Sequence, residues 1–403
     1  MHLTGKHKGD NNSEHGSHGS SHGSYHQEHH HDRDSKHGLD HSHTHEHNHY
    51  ADYRKYVGKK WLVLAVLAVI LFCVVVVSAS VGSSGISLVE VVRALFGGGE
   101  ATSQTIIWNV RLPQIATGIA VGIALAMAGC IMQSVLRNPL ASASTLGIAQ
   151  GASFGAAVAI VFFQAGTQVG ATSVIANTTG VHIASPYLVV IFAFLGGVTT
   201  TTIILLLARI AKVSPTALIL TGVALSALFT AATALIQYFA DDVRIASIVH
   251  WTFGSLGRAG WTEIAIIFAF NIVAFLYFIY NRWNYNALES GGATAKSLGV
   301  HVDSIILVGM ALSTLISAVA IAFVGTINFI GLIAPHIVRK FVGNDYRFLI
   351  PCSALMGAII ILVADIASRT IASPAILPIG ALTSFMGAPL FLYLIIRQGK
   401  RAV

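Results

Sequence analysis

From position 61 to position 80 the chain runs twenty residues without a charged side chain, and similar apolar runs recur to the C-terminus. A run of that length is what a bilayer-spanning helix needs. Of the 403 residues, 54% are hydrophobic and 10% charged, against about 25% charged in a soluble domain. The expected fold class is all-α: a polytopic membrane protein of about ten transmembrane helices. The formal charge of +7 does not point to nucleic acid, because the basic residues cluster at the ends of apolar segments, where membrane topology places them.

The expected spans are 61–80, 115–135, 143–163, 187–208, 215–239, 263–280, 302–323, a short or broken element in 324–341, then 349–370 and 379–396. The second is dense in small residues, including Gly118, Gly122, Ala126 and Gly129, which let helices approach closely in lipid. Arg54, Lys55, Lys59 and Lys60 precede the first span, and basic flanks mark the cytosolic side. Ten crossings then put both termini in the cytosol. On that placement fifteen Lys and Arg from position 54 onward are cytosolic and five lie on the outer side. Cys73, Cys130 and Cys352 sit in separate apolar segments and read as packing residues rather than disulfides or ligands.

One polar stretch stands out between two apolar blocks: residues 282–304, RWNYNALESGGATAKSLGVHVDS. It cannot sit in hydrocarbon, where its polar groups would lack partners, so it must face water or another protein. A Gly-x-x-x-x-Gly-Lys phosphate loop is missing from the sequence, so the chain is not expected to hydrolyse ATP by itself. Asp365 lies within a span with Arg369 four residues on. The pair reads either as a functional intramembrane charge or as a helix-stabilising contact near the outer surface. His182, His250, His301 and His336 are not spaced as a metal site.

The first 55 residues form a separate, His-rich segment, expected to be disordered and cytosolic, ahead of a membrane domain over 56–401. Fifteen of the nineteen histidines fall in residues 1–50. His41, His43, His45, His47 and His49 alternate, so an extended backbone would set all five imidazoles on one side. Imidazole suits zinc, nickel, cobalt or copper, and weak binding of a divalent metal is expected there. The rest of the chain is expected to bind no cofactor.

Several motifs resemble the permeases of ABC importers for iron-siderophores and vitamin B12. They are Arg111-Leu112-Pro113, Leu136-Arg137-Asn138-Pro139-Leu140-Ala141, Leu146-Gly147-Ile148, Thr294-Ala295-Lys296-Ser297-Leu298-Gly299-Val300, the run from Val324-Gly325-Thr326 to Ala334-Pro335-His336, Leu377-Pro378-Ile379-Gly380, and Gly387-Ala388-Pro389. The resemblance covers about 56–398. It implies a type II importer architecture in a prokaryotic cell membrane, a homodimer with a central path, two separate cytosolic ATPase subunits and an extracytoplasmic binding protein. The polar island would carry the coupling helices that meet the ATPases, through Glu289, Thr294, Ala295, Lys296, Ser297, Leu298 and Gly299. Arg111 and Arg369 would present docking charge to the binding protein. The cargo would be an iron-siderophore, haem or corrinoid chelate. A permease for zinc, nickel or cobalt ions, or an ion-coupled carrier or channel without ATPase, are the alternatives. The sequence departs from the family pattern at Gln114, where a second Arg often stands, and at Gly292-Ala293-Thr294-Ala295, where the pattern is Glu-Glu-Thr-Ala.

Overall fold

The computed structural model describes residues 41–81, 88–165, 186–211, 215–373 and 375–399. Residues 1–40, the 166–185 part of the loop expected on the outer side, and Lys212, Lys400 and Arg401 lie outside them. The chain divides into two units, Met1–Arg54 and Lys55–Val403.

The regular elements are helical throughout the described residues. They are α1 (His41–Ser80), α2 (Leu88–Leu95), α3 (Ala101–Ile106), α4 (Leu112–Val135), α5 (Ile148–Phe162), α6 (Pro186–Ala211), α7 (Pro215–Phe239), α8 (Asp242–Phe253), α9 (Trp261–Tyr280), α10 (Arg282–Glu289), α11 (Gly292–Ser297), α12 (Val302–Val324), α13 (Ile330–Val342), α14 (Tyr346–Thr370) and α15 (Ile379–Gly399). Seven helices are long and apolar enough to cross a membrane, and 148–162 and 379–393 are shorter apolar ones. With the family assignment given below, this makes the protein a multi-pass membrane protein.

The core is built around α4. Of its most apolar window 83% is buried, against 11% for α1 and for α7. Its small residues explain why. A Cβ at Gly122 would lie 2.6 Å from the backbone of Ala358 on α14, so the two helices touch main chain to main chain. Asn271 of α9 donates to the Ala120 carbonyl of α4 at 2.8 Å, a buried bond without a water competitor. Proline at the start of α4 (Pro113) suits the first turn, where its missing N–H is not needed.

Two expectations shift. The third span begins at Ile148 rather than 143, because the preceding residues close a polar turn instead. Thr145 Oγ1 donates to the Leu140 carbonyl at 3.1 Å and accepts from the Ser142 N–H at 2.8 Å, and Gly147 takes a left-handed φ of 79°. The His alternation is also not extended, since the α1 backbone is helical from His41. Extending an existing helix fixes one residue per hydrogen bond gained, whereas starting one fixes several, and the apolar 61–80 segment supplies the start.

Candidate functional site

The polar island folds as two short helices with distinct roles. On α10, Tyr285 and Leu288 are buried, with 0% and 1% exposure, and fasten the helix to the membrane domain. On α11, Ala295 is buried, while Ala293, Thr294, Lys296, Ser297, Leu298 and Gly299 are exposed. Ala295 is thus an anchor and not a surface contact. Leu298, a large apolar side chain, is 68% exposed at the tip. Gly299 has φ +82°, a left-handed turn that lets the chain leave α11 and enter α12. Lys296 and Asp303 pair at 3.7 Å across this turn; both are exposed, and such pairs are worth about 0–1 kcal/mol.

Glu289 is drawn back against α14: it accepts from Tyr346 Oη at 2.7 Å and from Asn344 Nδ2 at 3.3 Å. Asn286 Oδ1 accepts from the Tyr346 backbone N–H at 2.9 Å, and its Nδ2 faces Asp345 at 3.5 Å. Behind them Asp345 caps α14 and receives Lys60 of α1 at 3.2 Å and Arg347 at 2.8 Å. Burial opposes ionisation of Asp345, yet the hydrogen bonds from Arg347 and Lys60 outweigh it and hold the carboxyl down at about 2. The island therefore rests on a brace that gathers α1, α10 and α14. Gly292 leaves room for Arg137 of the 136–141 turn: a Cβ there would overlap the Arg137 guanidinium. Arg339 of α13 donates to Gln133 of α4, whose Nε2 donates to the Gly331 carbonyl at 3.2 Å.

Arg111 and Arg369 lie at the other end of α4 and α14, and they are not free surface charges. They are 5% and 8% exposed. Arg369 pairs with Asp365 at 2.6 Å and donates to Ser78 Oγ at 2.8 Å and to the Val81 carbonyl at 3.0 Å. Arg111 also donates to the Val81 carbonyl. Gln114 donates to Asp365 at 2.8 Å. Burial forces this pairing, because an isolated charge in this setting costs several kcal/mol. The two arginines thus sit in a clasp that ties α1, α4 and α14. Gln114 thereby joins the clasp.

The alternation of apolar and polar segments revealed the island. Lys60, Asn286, Asp345 and Tyr346 were missed as site residues. An Asp just before an apolar run is an N-cap signal by which Asp345 could have been found, whereas its partner Lys60 lies 285 positions away. Among the described residues no group of three His, Cys, Asp or Glu is placed to hold a metal.

Comparison with known proteins agrees over most of the chain. The model of the FecCD transport family matches residues 68–397. A Methanocaldococcus jannaschii protein named as an ABC transporter permease is 51% identical over 349 residues, covering 87% of this chain and 98% of that one. The hemin transport system permease protein of Yersinia pestis is 34% identical, over 84% of this chain and 97% of its own. The Fe(3+)-citrate import system permease protein YfmD of Bacillus subtilis is 32% identical, over 84% and 96%. A solved structure described as an inward-facing metal-chelate type ABC transporter superposes with a TM-score of 0.69 at 30% identity, over 84% of this chain and 99% of that one. The chain belongs to the FecCD transport family.

Proposed function

We propose that the chain is the permease subunit of an ATP-binding-cassette importer and forms the path for an iron-siderophore, haem or corrinoid chelate. The observation that carries this reading is the island: an exposed tip from Ala293 to Gly299 on two short helices, braced from behind by Asn286, Glu289 and Tyr346. A water-facing tip on a rigid brace suits force transfer from a separate ATPase. The named activities of the Yersinia and Bacillus relatives favour a metal chelate over bare zinc, nickel or cobalt.

In this reading the seven long helices and three shorter ones, α5, α13 and α15, make ten crossings. Both termini and the island then lie in the cytosol, and the clasp of Asp365 and Arg369 lies near the outer surface. A second copy packs against this one, two cytosolic ATPases meet the two islands, and a binding protein delivers cargo from outside. The exposed flank of α7, with Leu220, Val223 and Leu228, is apolar enough for a lipid or partner-copy surface.

The test is ATP hydrolysis and uptake by vesicles holding the chain with its ATPase and binding protein, challenged with hemin, ferric citrate, a ferric hydroxamate, cobalamin and bare divalent metals. Stimulation by one chelate is expected. Transport without ATPase, or a response to bare metal alone, would sink the reading.

A further inference from the structure

We propose that Arg282, Trp283 and Arg347, where α10 and α14 begin, form a headgroup site for an anionic phospholipid. Both guanidiniums lie over the Trp283 ring, Arg347 at 4.8 Å and Arg282 at 5.9 Å from its centre. Two like charges on one indole repel each other, so an anion within reach of both is favoured there. Arg347 shares Asp345 with Lys60. Arg282 donates to the Ile279 carbonyl at 2.8 Å, and the ion pairs among the described residues do not include it. The nearby Glu289 is taken up by Tyr346 and Asn344. Three cations are thus met by one carboxylate. The surplus is positive, and a guanidinium fork matches a phosphate.

The occupant follows from where this charge sits. Trp283 comes three positions after the last residue of α9, and Trp61 opens the apolar run of α1. Both indoles are exposed. Trp61 packs edge-on against Phe348 at 5.6 Å, and the same Phe348 ring lies 5.7 Å from the Arg347 guanidinium, so two tryptophans flank one cation. Indoles at the ends of spans mark the membrane–water interface. On the membrane side of them, Leu62 and Val66 of α1 and Leu276 and Tyr280 of α9 are exposed, an apolar surface for acyl chains. A headgroup with net negative charge fits the surplus, whereas a zwitterionic one carries its own cation. By the orientation proposed above, this is the cytosolic leaflet, whose anionic lipids attract basic residues.

The experiment is thermal melting of the full-length chain, stripped of lipid in neutral detergent, on titration with phosphatidylglycerol, phosphatidylcholine of the same chains, or inorganic phosphate. Phosphatidylglycerol should raise the melting temperature to a plateau, and the other two should not. Arg282→Gln should raise the half-saturating lipid concentration at least about 5-fold, the worth of one basic residue beside an anionic lipid. Trp283→Leu keeps both arginines but removes the ring that holds them, and should do the same; it carries the test if Arg282→Gln melts early without lipid. Lys296→Gln, which removes an exposed cation at the island tip, should titrate like wild type. Equal stabilisation by phosphatidylcholine would overturn the charge preference. Equal stabilisation by inorganic phosphate would overturn the lipid as occupant. Wild-type titration in Arg282→Gln or Trp283→Leu, or an equal loss in Lys296→Gln, would overturn the site and leave diffuse attraction in its place. The assay needs no transport partner, so its failure leaves the importer reading standing.

Discussion

Gly129 of α4 and Gly331 of α13 meet backbone to backbone. A methyl on Gly129 would overlap the Gly331 carbonyl, and a Cβ on Gly331 would stand 2.7 Å from the carbonyl of Leu125. Neither neighbour is a flexible side chain that can swing aside. Gly129→Ala is expected to destabilise the fold by about 3 kcal/mol, the upper end of ordinary overpacking, measured by thermal melting in detergent. A melt equal to wild type would show that α4 and α13 are not in such contact.

The clasp predicts an asymmetry between its members. Arg369→Met leaves Asp365 buried with the Gln114 hydrogen bond and the nearby charge of Arg111, and removing one side of a buried pair costs up to about 3–5 kcal/mol. Replacing both with apolar residues, Asp365→Leu with Arg369→Met, should recover much of that loss. A double variant as unstable as the single would show that the pair contributes more than mutual neutralisation. Melting of the single and double variants decides.

The carboxyl of Asp345 lies below its ordinary value, so it contributes stability above the unfolded value near 3.9 and loses it as pH falls through about 2. Acid melting should therefore steepen between about pH 4 and 2. Lys60→Met removes one of the two cations that face the carboxylate and should move the loss to higher pH. An unchanged acid profile would remove Lys60 from the brace.

The tip of the island should separate folding from coupling. Leu298 is 68% exposed, so Leu298→Asp should change stability by no more than about 0.5 kcal/mol. On the proposed function it should abolish cargo-stimulated ATP hydrolysis in the reconstituted complex. Full stimulation in this variant would exclude the tip from the ATPase contact.

Apolar length made most of the helices legible. The expected 215–239 span is α7 as found, and 302–323 differs from α12 by one residue. Small residues at Gly122 and Gly129 signalled close packing, and the structure names the partners, Gly357 with Ala358, and Gly331. Partners are what one sequence hides. Gln114 read as a missing charge because its acceptor, Asp365, lies 251 positions on. Arg111 and Arg369 read as surface charges because a basic residue beside a span looks the same whether it faces water or the carbonyls of another helix. The polar turn before α5 was masked by its apolar neighbours, although the left-handed Gly147 was in plain view.

Helices α1 and α14 are joined at both ends, by Lys60 to Asp345 and by Ser78 to Arg369. The two anchor points on α1 are eighteen residues apart, a rise of about 27 Å, close to the roughly 30 Å of a bilayer's hydrocarbon layer. Two polar pins at that separation act as a ruler. A thinner or thicker bilayer cannot be met by sliding α1 alone, because either pin would then be pulled into hydrocarbon. The two helices must tilt together, so hydrophobic mismatch becomes a torque on the very helix whose first turn supports the island.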